Sequence, residues 1–279
     1  MQLQNVGVDD APYSTRWADE LAAARGCAER AGRVIRQDLG RRDILAYKGP
    51  HDVLLATDLR AQEHLVGPLA KRFPEYGIVS EEGMQDNWCQ SRHLWAIDPL
   101  DGSNNVGYGV AHCAVAITLF QDDSAVLAVV HDPVAYRWFL AAEDMPLDCT
   151  QSAALDLQLA TISLVCGYSA SARRRGRQLE AALHGRCKRT CSLWAPALDL
   201  ALVATGRLDA MVCVDASFLD VCAGLLLVRA AGGVVLNAHG MPLEARRSLH
   251  ERPVTFVAAH GQALAQQLLE EVRPILAGR

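Results

Sequence analysis

Apolar positions near the start of the chain recur at alternating steps of four and three, the spacing of one face of an amphipathic helix. This helix is expected to end near Gly40, because glycine is favoured just past a helix C-terminus. A second helix is predicted from about Asp58 to Arg72, where Phe73-Pro74 would stop it. The positions that carry the first pattern are Trp17, Leu21, Ala24, Ala28, Ala31 and Ile35.

Short apolar runs in the rest of the first half predict β-strands. Val53–Ala56, Gly77–Ser80 and Leu94–Ile97 are each bounded by turn-forming or charged residues. Three further runs follow at hairpin-like spacing, with the turn signals Asp122–Ser124 and Asp132-Pro133 between them, so an antiparallel meander is expected. These three strands are predicted at Ala114–Phe120, Ala125–Val130 and Tyr136–Ala141.

In the second half, strand patterns alternate with helical patterns, which is typical of an α/β architecture. The pattern weakens over residues 143–160, and 279 residues correspond to about two domains at roughly 150 residues each. We therefore expect an N-terminal α+β domain at 1–145 and a C-terminal α/β domain at 146–279. Strands are predicted at Ile162–Tyr168, Ala210–Val214, Val234–Asn237 and Val254–Ala259, and helices at Ala172–Leu183, Pro196–Thr205, Phe218–Ala231 and Gln262–Val272.

Composition narrows the class of protein. Hydrophobic residues make up 51% and charged residues 21% of the chain, which is typical of a globular protein and not of a disordered one. The chain has 27 Lys and Arg against 32 Asp and Glu, and the net charge of −5 does not favour nucleic acid or an anionic membrane as a partner. Nine scattered cysteines without a C-x-x-C pair are typical of free thiols in a reducing compartment.

Two segments bear on the location of the protein. Met1–Asp10 has no basic region followed by an apolar stretch, so no signal peptide is predicted. The most apolar stretch, Val221–Leu236, has 16 residues and contains Arg229, so it falls short of a transmembrane helix. A cytoplasmic protein without a membrane partner is therefore expected.

The segment with the most chemical content follows the predicted strand Leu94–Ile97. It is the run Asp98-Pro99-Leu100-Asp101-Gly102-Ser103-Asn104, in which a proline and a glycine favour a tight turn between two aspartates. Two carboxylates and the Leu100 carbonyl can form a set of hard oxygens that suits Mg²⁺ rather than zinc. The N–H groups that follow would form an anion cradle if they open a helix. Taken alone, the segment is equally consistent with a simple turn.

Three further acidic positions have both a structural and a functional interpretation. Glu81-Glu82 follows the predicted strand Gly77–Ser80 and, taken alone, suits a solvated loop. Asp58 suits a helix N-cap. Asp220 suits the first turn of an apolar helix, where the helix dipole stabilises negative charge. Together with the turn at Asp98, these positions favour a shared chemical role.

These motifs resemble the inositol monophosphatase family of magnesium-dependent, lithium-sensitive phosphatases. The family's Asp-Pro-Ile/Leu-Asp-Gly-Thr/Ser turn is matched by Asp98–Ser103, and its upstream acidic pair by Glu81-Glu82. Asp52–Asp58 loosely matches an Asp-Leu-Val-Thr-x-x-Asp motif, and Leu219–Gly224 with Ala230–Gly233 matches the family's two later motifs. The resemblance extends from about Trp17 to Ala259. It implies an α/β (α+β) fold, a layered α-β-α-β-α sandwich of the inositol monophosphatase/fructose-1,6-bisphosphatase type.

The resemblance also implies two or three Mg²⁺ ions in each active site. Glu81, Asp98 and the Leu100 carbonyl would hold one ion. Asp98, Asp101 and Asp220 would hold a second ion, so Asp98 would bridge the two. Most of these metal ligands lie in the expected N-terminal domain, and Asp220 is the contribution of the C-terminal one.

The implied reaction is hydrolysis of a small phosphomonoester by a water that the metal ions activate. Ser103 takes the place of the family's threonine and, paired with Asp58, would help to remove a proton from that water, with Glu81 sharing this role. The amides of Gly102, Ser103 and Asn104 would hold the phosphate. The family's members are commonly homodimers, so a homodimer is expected.

The region that would recognise the alcohol part of the substrate departs from the family pattern. Cys213 stands where inositol phosphatases carry a glutamate that binds substrate hydroxyls. Trp194 and Ala195 stand where the family has glycine and a hydroxyl-bearing residue. The three residues are expected to line the substrate pocket of the second domain. Cys213 and Trp194 favour a leaving group more apolar or aromatic than inositol.

Other activities stay open within and beyond the superfamily. Sugar bisphosphates, 3′-phosphonucleotides and histidinol phosphate are alternative substrates. A regulatory partner in RNA synthesis is an alternative of another class, because some bacterial relatives have such roles. The densest basic patch, Ala172–Arg177, is interpreted as a solvated helix start, with contact to an anionic substrate or partner as its functional alternative.

Overall fold

The computed structural model describes residues 15–84, 91–145, 147, 156–250 and 252–278. The chain divides into two compact units, Met1–Pro146 and Leu147–Arg279, each with its own hydrophobic core. Met1–Asp10 and part of the predicted boundary segment 143–160 lie outside the described residues. The assignment of two domains to 1–145 and 146–279 stays a prediction.

The first unit combines a hairpin, a larger sheet and helices. Its described elements are α1 (Ala18–Asp38), β1 (Ile44–Gly49), β2 (Asp52–Leu55), α2 (Ala56–Glu63), α3 (Val66–Arg72), β3 (Gly77–Ser80), β4 (Gly83–Met84), β5 (His93–Asp101), α4 (Ser103–Tyr108), β6 (Ala114–Gln121), β7 (Ser124–Asp132) and β8 (Arg137–Ala142). β1 and β2 form an antiparallel hairpin. The larger sheet has the order β4-β3-β5-β6-β7-β8, and its neighbours are antiparallel except for the parallel pair β3–β5.

Helix α1 covers this sheet with one apolar face. The spacing read from the sequence brings its small and branched residues to one side, and they are fully buried against β6 and β7. Alanine is the best helix former and lets the helix approach the sheet closely. The helix ends at Asp38, two residues before Gly40, which has a positive φ of 85°. The fully buried residues are Leu21, Ala24, Ala28, Ala31 and Ile35.

The single helix predicted from Asp58 to Arg72 is wrong, because the structure has two helices there. α2 ends at Glu63 and α3 begins at Val66. Pro68 is the physical reason: it has no N–H to donate to the carbonyl of His64, and its ring would clash with that carbonyl in a continuous helix.

Two further differences concern the strands next to the candidate chemistry. The sequence did not predict β1, whose side chains are mostly exposed and so lack the alternation of a half-buried strand. The predicted strand Leu94–Ile97 continues to Asp101 as β5. Its pairing with β6 becomes irregular between Asp98 and Asp101, so the backbone leaves regular sheet geometry where the two aspartates lie.

The second unit is a five-stranded sheet between helices. Its described elements are a 3₁₀ turn (Leu157–Leu159), β9 (Thr161–Cys166), α5 (Ala170–Leu183), β10 (Arg189–Cys191), α6 (Pro196–Ala204), β11 (Ala210–Ala216), α7 (Phe218–Ala230), β12 (Val234–Asn237), a 3₁₀ turn (Arg247–Leu249), β13 (Val254–Ala259) and α8 (Gln262–Leu276). The strand order is β10-β9-β11-β13-β12. β9 is parallel to β10 and β11, whereas β13 is antiparallel to β11 and β12. Among these described elements, the sequence did not predict the short β10 or the two 3₁₀ turns.

Both faces of this second sheet are covered. Alternate residues such as Val212 and Val214 join α5 and α8 in one core cluster. The intervening Met211 and Cys213 are buried as well, and α6 and α7 contact β11 and β12. Burial on both faces explains why these strands and helices are almost continuously apolar. Among the described residues, no helix is long and apolar enough to cross a membrane.

Candidate functional site

The turn at the end of β5 places two buried carboxylates close together in the chain. Asp98 and Asp101 are each only 2% exposed. The backbone N–H of Leu100 donates a hydrogen bond of 3.0 Å to Asp98 Oδ1, which holds the turn closed across Pro99. Because the strand pairing is irregular here, the Asp101 side chain does not follow the simple alternation of the strand. Burying two carboxylates is costly unless positive charge or hydrogen-bond donors compensate them.

Gly102 connects this turn to a short helix. Its φ of 92° lies in the left-handed region that glycine adopts without steric cost. α4 then begins at Ser103, as the anion-cradle interpretation required. The Asn104 side chain donates a 3.2 Å hydrogen bond to the His51 carbonyl in the β1–β2 turn, so the start of this helix is tied to the hairpin.

Ser103 and Asp58 form a short polar contact next to this turn. The Ser103 hydroxyl donates to Asp58 Oδ1 at 2.6 Å, and it also lies 3.0 Å from the Leu100 carbonyl. A hydroxyl has one hydrogen, and the shorter, charge-assisted contact to Asp58 is the stronger one. Asp58 Oδ2 accepts the Leu55 N–H at 2.8 Å. Asp58 is the third residue of α2, and Leu55 is the N-cap. The interpretation of Asp58 as the N-cap is therefore wrong.

The Asp58 carboxyl has an unusual pKa. Removal from water raises its pKa to about 6, against the ordinary value of 3.8. The hydrogen bonds from Ser103 and Leu55 oppose this shift, and the nearby negative charge of Glu81 adds to it. A base with a pKa close to neutral is well matched to proton transfer at physiological pH.

This shift predicts a pH-dependent difference in stability between the metal-free wild type and Asp58→Asn. The folded protein binds this proton more tightly than the unfolded chain, so protonation below about pH 6 removes the cost of the buried charge. As the pH falls from about 8 to about 5, the wild type should gain about 1 kcal/mol of unfolding free energy relative to the variant. Urea unfolding in a chelator at several pH values measures this, and parallel pH profiles for the two proteins would contradict it.

Glu81 lies at the same sheet edge as Asp98. β3 and β5 run parallel with Ser80 paired to Ile97, so the next residues of the two strands, Glu81 and Asp98, follow at the same end of this pairing. The Glu81 N–H donates to the Ile97 carbonyl at 3.1 Å, which fixes this arrangement. The structure therefore brings Glu81, Asp98 and Asp101 to one end of neighbouring strands in the first unit.

Lys48 is a cation at this edge that the sequence analysis did not identify. Its ammonium donates to Glu81 Oε1 at 2.7 Å and also bonds Glu82. Burial lowers the pKa of Lys48, but the two glutamates outweigh it and hold the pKa above its usual value. The contact joins residues 33 and 34 positions apart through the unpredicted strand β1, so no local pattern could have revealed it.

The remaining predicted site residues belong to the second unit. Asp220 is the third residue of α7, in its first turn as predicted. Cys213 is fully buried in β11, where its thiol faces the Val254 carbonyl at 3.8 Å and burial raises its pKa well above the ordinary value. Ala195 is fully buried before α6. Trp194 is 48% exposed and has a φ of 56°, so it is the one of the three predicted pocket residues that solvent reaches.

Comparisons with known proteins give a consistent result. Residues 17–277 match a family model described as the inositol monophosphatase family. An inositol-1-monophosphatase of Rhizobium meliloti is 32% identical over 77% of this chain and 85% of its own length. A Nus factor SuhB of Xylella fastidiosa is 34% identical over 76% of this chain and 80% of its own length.

Solved structures with the same fold include an extragenic suppressor protein suhB of Bartonella henselae. Its TM-score is 0.82 at 24% identity, over 91% of this chain and 98% of that one. An IMPase/NADP phosphatase complexed with Mg²⁺ and phosphate gives a TM-score of 0.72 at 19% identity, over 87% and 90% of the two chains. Identities this low establish the fold alone.

Proposed function

The chain belongs to the inositol monophosphatase family, and from this premise we propose that it is a Mg²⁺-dependent phosphomonoesterase acting on a small phosphorylated metabolite. The resemblance and the layered α/β fold expected from the sequence are confirmed. The observation that carries the proposal is the Ser103–Asp58 pair, which adjoins the Leu100 carbonyl in the turn of two buried aspartates.

The donor set suits Mg²⁺. Asp98, Asp101 and Glu81 offer carboxylate oxygens and Leu100 a carbonyl, and hard oxygens are the ligands that Mg²⁺ prefers. The Lys48 ammonium against Glu81 supports the same conclusion, because it indicates that this edge attracts a cation. We assign Glu81, Asp98 and Leu100 to one ion.

A second ion would be held by Asp98, Asp101 and Asp220, with Asp98 shared. Asp220 is proposed as a ligand on the strength of the family motif and its place in the first turn of α7. Two or three ions are expected in the complete site. An IMPase/NADP phosphatase with the same fold was solved in complex with Mg²⁺ and phosphate, which agrees with this choice of metal.

The chain's own residues would accept the proton of the attacking water and bind the phosphate. Bound Mg²⁺ would supply positive charge for the phosphate oxygens and make a water more acidic. Ser103 would accept a hydrogen bond from the attacking water while donating to Asp58, and Asp58 would draw the proton away with the help of Glu81. The amides of Gly102 and of the first two residues of α4, Ser103 and Asn104, would hold the phosphate oxygens.

The alcohol part of the substrate is proposed to be less polar than inositol. Cys213 has no carboxylate to accept hydrogen bonds from a diol, and it is fully buried, so this position would offer the substrate no polar contact. Trp194 would offer a large apolar surface next to Ala195. Sugar bisphosphates, 3′-phosphonucleotides and histidinol phosphate stay as alternative substrates.

A second candidate function is a regulatory role in RNA synthesis. It is favoured by one observation: several relatives of about 30% identity are called Nus factor SuhB. Such a role would depend on binding to a partner and not on hydrolysis. It is compatible with the phosphatase activity, and a variant that lacks hydrolysis separates the two.

Phosphate release from a panel of phosphomonoesters tests the proposal. The panel contains inositol, sugar, nucleotide, amino-alcohol and aromatic phosphates, each with Mg²⁺ and with a chelator. We expect Mg²⁺-dependent release, inhibited by Li⁺, with an aromatic or apolar alcohol preferred over inositol. A preference for myo-inositol 1-phosphate would reject the altered pocket, and no release from any compound would favour the regulatory role. Light scattering on the same sample tests the expected homodimer.

A further inference from the structure

The strand that leads to Asp220 contains a β-bulge. In the antiparallel pairing of β11 with β13, Cys213 lies opposite Phe256 and Ala216 lies opposite Val254. Two residues of β11, Val214 and Asp215, therefore face the single residue Thr255. A bulge of this kind bends its strand and increases the local twist, and bulges are frequent beside active sites, where they re-aim a side chain.

Asp215 occupies a backbone conformation that usually belongs to glycine. Its φ is 54°, in the left-handed region where only a few per cent of non-glycine residues lie, with Asp among the better tolerated. Its N–H donates to Thr255 Oγ1 at 3.0 Å, and Thr255 Oγ1 donates to Asp215 Oδ1 at 3.0 Å. The residue opposite the bulge thus bonds both the backbone and the side chain of the bulged residue.

Arg175 of α5 completes this arrangement. Its guanidinium donates to the other carboxylate oxygen of Asp215. The two side chains are only 17% and 26% exposed, unlike the solvated ion pairs that contribute little to stability. Arg173, Arg174 and Arg177 of the same basic run are all exposed. Arg175 is therefore set apart from these three arginines by its burial.

The bulge lies directly before the helix that carries Asp220. β11 ends at Ala216 and α7 begins at Phe218, so Ser217 alone separates the two elements. A one-residue connection has little freedom to correct the direction of the strand. The course of the chain through the bulge therefore determines where the first turn of α7 lies.

We propose that Arg175, Asp215 and Thr255 form a bulge anchor, which positions Asp220 for metal binding through the backbone of β11 and the first turn of α7. The part that concerns metal rests on the proposed function, in which Asp220 is a ligand. The three anchor residues are positioning residues. Mutation of the residues that support metal ligands commonly lowers metal affinity by about 10–100-fold.

The test compares Arg175→Gln with Arg174→Gln, in the full-length chain. Both variants remove one positive charge from adjacent positions of α5, but only the first removes the contact to Asp215. Mn²⁺, which accepts the same oxygen ligands as Mg²⁺, is titrated without substrate by calorimetry. We expect about tenfold weaker binding for Arg175→Gln and an unchanged affinity for Arg174→Gln.

Hydrogen exchange provides a readout that does not depend on metal. Amides of residues 215–222 should exchange faster in Arg175→Gln than in the wild type and in Arg174→Gln, while the rest of α7 stays protected. Asp215→Asn keeps the side-chain bond from Thr255 and should be milder than Asp215→Gly, which keeps the backbone conformation and the N–H bond to Thr255 but loses both side-chain contacts. The comparison of Asp215→Asn with Asp215→Gly tests the bulge anchor even if Arg175→Gln fails to fold.

The outcomes separate the anchor from the proposed function. Unchanged exchange at 215–222 in Arg175→Gln and in Asp215→Gly would overturn the anchor, whatever the metal does. Faster exchange in Arg175→Gln with an unchanged Mn²⁺ affinity would overturn the claim that the bulge anchor positions Asp220 for metal binding. If the wild type itself binds no Mn²⁺, the proposed metal site is rejected and the metal part of the inference falls with it.

Discussion

Asp101→Asn is expected to lower kcat/KM by about a thousandfold, with little change in fold. The substitution keeps the size of a side chain that is 2% exposed but removes its negative charge. Charge stabilisation by a metal ion is worth several kcal/mol in the transition state, and about 1.36 kcal/mol corresponds to each factor of ten in rate. A neutral amide would hold the ion weakly and could not provide that stabilisation.

The measurement is steady-state phosphate release on the best compound of the panel, with a thermal unfolding curve for each protein. Asp122→Asn is the matched control, because Asp122 lies in the turn between β6 and β7 of the same unit, is exposed and has a φ of 54° that asparagine also tolerates. The control should keep wild-type activity. If Asp101→Asn retained a tenth or more of the activity, Asp101 would not be a metal ligand. A purely regulatory function should survive this variant.

The sequence predicted best those parts whose pattern is local. The helix around Leu21 and Ile35 follows from periodicity, and the meander from Ala114 to Ala141 follows from apolar runs separated by turn signals; both are present. The chemistry of the Asp98–Asn104 turn could also be predicted, because its residues are consecutive and proline and glycine restrict its shape. The structure adds the opening of α4 at Ser103, which the sequence left conditional.

The sequence predicted poorly what depends on residues far apart. The contact of Lys48 with Glu81 and that of Arg175 with Asp215 each join positions more than 30 residues apart, on separate elements. Arg175 looked like one member of a solvated basic run, and only tertiary structure distinguishes it from Arg174. By contrast, the break between α2 and α3 carried a local signal in Pro68, which the helical pattern concealed.

Ser103→Ala is expected to lower kcat by about a hundredfold or more, while Ser103→Thr keeps most of the activity. The hydroxyl lies 2.6 Å from Asp58, and general-base assistance of this kind contributes about 10²–10⁴-fold. Threonine retains the hydroxyl, and alanine leaves Asp58 without the contact that relays the proton. KM should change little in either variant, because the pair acts on the attacking water and not on substrate binding.

A double-mutant cycle with Asp58→Asn makes the prediction sharper. If Ser103 and Asp58 act as one unit, each single variant should cost about as much as the double variant, since groups that act together are strongly non-additive. Independent roles would give multiplicative losses instead. Full activity in Ser103→Ala would remove the hydroxyl from the mechanism and leave Glu81 as the group that assists the water. The cycle therefore tests the proposed roles of Ser103 and Asp58 with any compound that the wild type hydrolyses, whichever substrate is the natural one.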